Sequence, residues 1–197
     1  MQTRCALVGM PGSGKSTVGR QLARRLGVPF IDLDHRLEQV LGTSIRAYFD
    51  THGEAAFRDQ EAQLLADVAG QPGPMVLSTG GGIVLRPENR EALRTCGHVL
   101  YLRATPEEIY KRVRHDQARP LLQVANPMER LRELYAQRDP LYREAAHYVI
   151  ETGRPTVTTL VNMIVMQLDM ATAASPPPPP EQQKQEQPAL EKPSLQQ

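Results

Sequence analysis

Cysteine is nearly missing: Cys5 and Cys96 are the two thiols in 197 residues, and neither belongs to a pair spaced like a zinc knuckle or a redox motif. That usage excludes a disulfide-built scaffold and fits two reduced thiols in an intracellular protein. Long hydrophobic runs are also missing. Nowhere do about 18 apolar residues follow one another, and the apolar run in "MQTRCALVGM" is too short for a signal peptide. The chain is therefore expected to be soluble and cytoplasmic. An excess of one charge is lacking too, because 23 basic residues nearly cancel 22 acidic ones. No global field draws such a chain to nucleic acid or to a membrane surface, so neither is expected as a partner.

A chain of 21.9 kDa can bury a full core, and one domain plus a tail is the simplest division. Short apolar runs at "CALVG", "VPFIDL", "MVLST", "HVLYLR" and "HYVIE" read as buried strands, with helical periodicity between them. Five strands alternating with helices predict an α/β fold, a parallel sheet covered by helices on both faces. Thr105-Pro106-Glu107-Glu108 carries a cap hydroxyl, a proline at the first helical position and an acid three residues after the cap, which marks a helix start. Gly153 to Thr156 opens a last helix, and Pro140 is expected to break or kink a helix that starts near Pro127. From residue 171 to 197 the composition turns to proline and glutamine, which predicts a disordered tail with polyproline II at Pro176 to Pro180 and a folded domain over 1–170.

The informative stretch is Gly9-Met-Pro-Gly-Ser-Gly-Lys-Ser-Thr17. It fits GxxxxGK[ST] through Gly9, Gly14, Lys15 and Ser16, between a predicted strand and a predicted helix. Glycines let successive amides turn inward around phosphate, the lysine reaches the outer phosphates, and the serine hydroxyl can ligate Mg²⁺. Nucleotide binding follows, but regulatory GTPases, motor ATPases and small-molecule kinases all share such a loop. The Asn-Lys-x-Asp segment that reads guanine does not occur, and no apolar strand ends in Asp-Glu. Asp67-Val-Ala-Gly70 matches a switch pattern but falls at the end of a helical segment, an accidental match.

Two aspartates, Asp32 and Asp34, end the second strand in "PFIDLD", and Gly80-Gly81-Gly82 follows the third. Ligands of open parallel sheets bind beyond these carboxyl ends. Two residues apart on an extended chain, both carboxylates face one cleft, one to hold water on a metal and one to meet a hydroxyl. The triple glycine clears side chains from one wall and bares amides. Arg58, Arg119 and Arg138 are candidate anion clamps. Arg20, Arg24, Arg25 and Arg90 read as solvated surface charges.

Taken in order, "GMPGSGKST", "FIDLD", "FRDQE", "STGGG", "RPLL" and "RDPLY" make the chain resemble the shikimate kinase family over residues 1–170. The resemblance implies a nucleoside-monophosphate-kinase-like P-loop fold with a five-stranded parallel sheet and a mobile lid at about 112–125. It implies transfer of the γ-phosphate of ATP to the 3-hydroxyl of shikimate, giving 3-phosphoshikimate and ADP on the way to chorismate and the aromatic amino acids. ATP and one Mg²⁺ per subunit are implied, with a monomer as the working unit. In that pattern Gly12, Ser13, Gly14, Lys15, Ser16 and Thr17 wrap the phosphates, Ser16 ligates Mg²⁺ and Asp32 holds it through water. Asp34 takes the proton of the attacking hydroxyl. Arg58 and Arg138 clamp the substrate carboxylate beside Gly80, Gly81 and Gly82. Arg119 swings over the transferring phosphate from the lid, Arg112 packs on adenine, and Arg154 lies near it.

Two other readings stay open from sequence. One is a different small-metabolite kinase of the same fold, for gluconate or a nucleoside monophosphate. The other is a nucleotide-dependent switch that recruits a partner through Pro176 to Pro180.

Overall fold

A computed structural model describes residues 3–114 and 125–173. Arg4–Val8 (β1) is the middle strand of a five-stranded sheet, ordered β2-β3-β1-β4-β5 with Phe30–Asp32 (β2), Met75–Ser78 (β3), His98–Arg103 (β4) and Tyr148–Glu151 (β5). Every pairing is parallel, with Ala6 opposite Leu77 on one side and Val99 on the other. Strands buried on two faces need apolar side chains pointing both ways, and β1 supplies them by alternation. Ala6 and Val8 enter one core with Leu77, Val99 and Tyr101, while Cys5 and Leu7 enter the other with Val76, Leu100 and Leu102.

Helices Lys15–Leu26 (α1) and Val157–Ala173 (α7) cover the second core through Val18, Leu22, Leu160 and Ile164. The first core is closed by Leu33–Leu41 (α2), Ile45–Gly70 (α3), Pro87–Cys96 (α4), Pro106–Val113 (α5) and Pro127–Ala145 (α6). A non-helical Gly53, with φ 81°, divides α3 into two helical stretches, so its second half turns Phe57, Arg58 and Glu61 toward the carboxyl ends of the strands. The expected capping box forms on α5: Thr105 accepts from the Glu108 amide and Glu108 accepts from the Thr105 amide.

Several expectations need correction. The second strand is only three residues long, because Asp32 accepts from the amide of His35 and caps α2, putting Asp34 in a first helical turn instead of on extended chain. Pro140 does not break helix α6, which continues through it to Ala145. Helix α7 runs to Ala173, three residues past the boundary expected at 170. Arg90 is no solvated charge: it donates to the carbonyl of Val84 at 2.8 Å and to Glu144 at 2.9 Å, tying the turn after β3 to α6.

Burial pushes the Cys5 thiol up to about 12, with Cys96 adding to the shift, which makes it inert. Among the described residues no helix is long and apolar enough to cross a membrane. The lid interior around Arg119, Pro176 to Pro180 and residues 174–197 of the tail lie outside the described residues.

Candidate active site

Strand β1 delivers the chain into the glycine loop, and α1 begins at Lys15. Gly12 (φ 83°) and Gly14 (φ 97°) hold backbone angles that side-chain-bearing residues avoid, which curls the loop around its own amides. The first turn of α1 carries no acidic residue, leaving the positive end of its dipole for an anion. Lys15 is buried and donates to the carbonyls of Gly9 at 2.8 Å and Met10 at 2.9 Å, so its ammonium is held at the loop. A cleft of about 280 Å³ opens here, lined by Gly12, Gly14, Lys15, Ser16, Thr17 and Asp34 among others.

Behind that loop the Ser16 hydroxyl donates to Asp32 at 2.7 Å. A hydroxyl and a carboxylate joined beside a phosphate cradle form the oxygen donor set that suits Mg²⁺, which prefers few protein ligands and keeps waters and phosphate oxygens. Among the described residues no cluster of three or more His, Cys, Asp or Glu forms a dedicated metal cage. The Ser16 hydroxyl and the Asp32 carboxylate fit a nucleotide-borne Mg²⁺.

A second cleft, about 470 Å³, adjoins the first and shares Pro11, Asp34 and Gly81 with it. Asp34 thus stands at the junction between the two. Burial raises its carboxyl to about 6, the nearby Lys15 charge pulls it down, and Glu61, Asp32 and Glu38 push it back up. A group poised there is charged at neutral pH and still basic enough to take a proton.

The triple glycine has a steric cause. A Cβ at Gly80 would lie 2.6 Å from Asp34 Oδ1, a Cβ at Gly81 would lie 2.6 Å from Pro11 Cδ, and one at Gly82 would overlap the Arg58 guanidinium. The carbonyl of Gly81, more than its amide, is the used group: it accepts from Arg138 Nη1 at 3.1 Å and from the Tyr142 hydroxyl.

Arg58 and Arg138 both line this second cleft. Arg58 is not a lone cation, because it pairs with Glu61 at 2.6 Å and with Glu54 at 3.3 Å. Arg138 keeps a buried Nε with no hydrogen-bond partner, a donor waiting for an acceptor. Together their guanidinium groups supply fork-shaped donors suited to a small carboxylate.

A third cleft, about 290 Å³, lies on the far side of the loop between Arg112, Thr152, Pro155 and Leu160. Arg112 donates to the Ser13 carbonyl at 3.3 Å and to the Thr152 hydroxyl at 3.2 Å, and also meets the Thr152 carbonyl. Its guanidinium is thereby held in a cleft that also has Val18, Val157 and Leu160 in its wall, a setting that suits a planar base. Arg154 is exposed and does not line this cleft; its neighbour Pro155 does. Arg119 lies outside the described residues.

Glu61 is the main residue missed by sequence reasoning. It is 1 % exposed, and burial raises its carboxyl against the opposing pull of Arg58. Its signal was the spacing of three residues from Arg58 within "FRDQE", which puts both on one helix face. Tyr142, four residues beyond Arg138, was likewise inside a noted motif without a role.

Comparison with known proteins agrees with this geometry. The shikimate kinase family profile matches residues 11–169. A shikimate kinase of Paracidovorax citrulli is 61% identical over 168 residues, covering 84% of this chain and 91% of that one. One of Ralstonia nicotianae is 56% identical over 164 residues, covering 83% of this chain and 86% of its own. The solved shikimate kinase from Acinetobacter baumannii in complex with shikimate superposes with a TM-score of 0.82 at 42% identity, covering 89% of this chain and 97% of that one. With its sheet order, phosphate loop and arginine-walled cleft, this chain belongs to the shikimate kinase family.

Proposed function

We infer that the protein transfers the γ-phosphate of ATP to the 3-hydroxyl of shikimate, producing 3-phosphoshikimate and ADP in the route to chorismate and the aromatic amino acids. The observation that carries this reading is the pair of adjoining clefts, one around Lys15 and one around Arg58 and Arg138, with Asp34 at their junction. A phosphate donor in one and a carboxylate-bearing polyol in the other would bring a hydroxyl to both Asp34 and the γ-phosphate.

The residue roles proposed are those the family resemblance implies, supported for the described residues by this placement. Arg58 and Arg138 hold the substrate carboxylate, and the Gly80 to Gly82 backbone closes the pocket around it. Asp34 orients the attacking hydroxyl and accepts its proton as the oxygen bonds to the γ-phosphorus. The bond from that phosphorus to the bridging oxygen breaks as ADP leaves. Lys15 and the amides of Gly12 to Thr17 stabilise charge on the phosphates, and Arg119 adds to this from the lid. Ser16, with Asp32 through water, would hold Mg²⁺, which when bound neutralises phosphate charge and fixes the nucleotide's orientation. Arg112 and Pro155, with Arg154 at the rim, flank the adenine. A lid over the site, as the family resemblance implies, would exclude water and keep ATP from hydrolysis.

We propose a monomer in the cytoplasm as the working unit, with the catalytic domain extending to about Ala173, the last residue of α7. A panel assay of ADP release separates this reading from its rivals. Shikimate should be the preferred acceptor; faster turnover of gluconate or a nucleoside monophosphate would reassign the second cleft.

A further inference from the structure

Asp139 lines none of the three clefts, yet it is bonded on both carboxylate oxygens next to Arg138, which lines one. Its Oδ1 accepts from the Tyr101 hydroxyl at 2.8 Å and lies 3.4 Å from Arg103 Nε, and its Oδ2 accepts from Arg143 Nε at 2.7 Å. Arg103 in turn donates to Tyr135 at 2.8 Å and to Glu151 at 2.8 Å. One carboxylate thus ties α6 to β4 and, through Arg103, to β5.

The place on the helix gives this tie a purpose. Tyr135, Asp139 and Arg143 follow one another at four-residue spacing on the face toward the sheet edge. Arg138 and Tyr142, also four apart, occupy the neighbouring face, and both meet the Gly81 carbonyl at the wall of the second cleft. Pro140 follows Asp139 in the same turn and has no amide to give to Ala136, so this turn of α6 lacks one of its own hydrogen bonds. That turn, which carries Arg138, therefore relies on ties from outside the helix. Tyr101 supports both faces at once, since its ring packs 4.9 Å from that of Tyr142 while its hydroxyl holds Asp139.

We propose that Asp139 is a positioning residue for substrate recognition: by fastening the proline-interrupted turn of α6 to Tyr101 and Arg103 of β4, it aims Arg138 at the carboxylate of the acceptor. This rests on the carboxylate-clamp reading of Arg138 above. Its effect should fall mainly on the acceptor side, because no residue of α6 lines the nucleotide clefts around Lys15 and Arg112, whereas Arg138 lines the acceptor cleft.

The test is steady-state kinetics of the full chain with ATP and shikimate varied separately. Asp139→Ala should raise KM for shikimate roughly 10-fold, the size of a lost charged hydrogen bond, with KM for ATP unchanged. Asp139→Asn keeps an acceptor for Tyr101 and should recover much of that loss. If Asp139→Ala does not fold, Tyr101→Phe removes only the hydroxyl and carries the same expectation. In an Arg138→Ala background the Asp139 substitution should add nothing further, since its effect is routed through Arg138. Equal rises in both KM values, or a full additional loss without Arg138, would make Asp139 a general support of the fold and overturn the proposal. Wild-type protein runs in the same assay; if shikimate fails to stimulate its ADP release, the activity reading itself falls and the proposal falls with it.

Discussion

Arg58 and Glu61 meet at 2.6 Å on adjoining turns of α3, a guanidinium and a carboxylate both turned away from bulk water. The pair makes Arg58 a rigid part of the pocket wall instead of a free surface cation. Arg58→Ala should therefore have two effects: shikimate affinity falls roughly 10- to 100-fold, and stability falls by about 3 kcal/mol because Glu61 is left buried and unpaired. Arg138→Ala should lose similar affinity with a smaller loss of stability, since it strands no carboxylate. Titration calorimetry and denaturant unfolding of both variants measure the contrast, and equal stability losses would remove the structural role given to the pair.

Gly80→Ala tests the steric account of the triple glycine. A Cβ there falls 2.6 Å from Asp34 Oδ1 and 3.1 Å from Glu61 Oε1, so the carboxylates must move. A shift of about 1 Å in a reacting group can cost on the order of 100-fold in rate, and kcat/KM for shikimate should fall by that order. ATP affinity should hold, because the glycine loop is untouched. Wild-type kinetics in Gly80→Ala would show that the close approach has no purpose.

Asp34 predicts a pH dependence with a definite sign. Its carboxyl is raised to about 6 in the folded protein by burial, so kcat/KM for shikimate should fall below about pH 6 as the base is protonated. Linkage gives the companion result. Between the ordinary carboxylate value and about 6 the folded protein binds more protons than the unfolded chain, so Asp34 lowers stability as pH rises through that window. Asp34→Asn should abolish turnover, keep ATP affinity and raise Tm at pH 7, with no gain at pH 3.5. A lower Tm at pH 7, or turnover near that of the wild type, would contradict the role.

Much of this was legible in the sequence because its signals are local. Glycine spacing around Lys15 fixes the phosphate cradle, and the alternation in "CALV" and "HVLYLR" fixes strands with two buried faces. What escaped depends on contacts between distant segments. Asp32 and Asp34 look equivalent as letters, yet a helix begins between them, so one caps that helix and the other enters the pocket. Glu61 reads as an ordinary helix acid until α3 is folded back over Gly80. Arg90 reads as a surface charge until α6 arrives with Glu144. Pro140 suggests a helix end, but ties from Asp139 and Tyr142 to β4 and Gly81 carry α6 across it. In each case a partner from another element, absent from the local pattern, decides the outcome.

The central claim is that the two adjoining clefts form one phosphoryl-transfer site with shikimate as the acceptor. The most direct measurement is ADP release by the purified chain at saturating ATP and Mg²⁺, with and without shikimate. Shikimate should raise the rate by orders of magnitude over a slow background, with one 3-phosphoshikimate formed for each ADP. An ADP rate indifferent to shikimate would contradict the account.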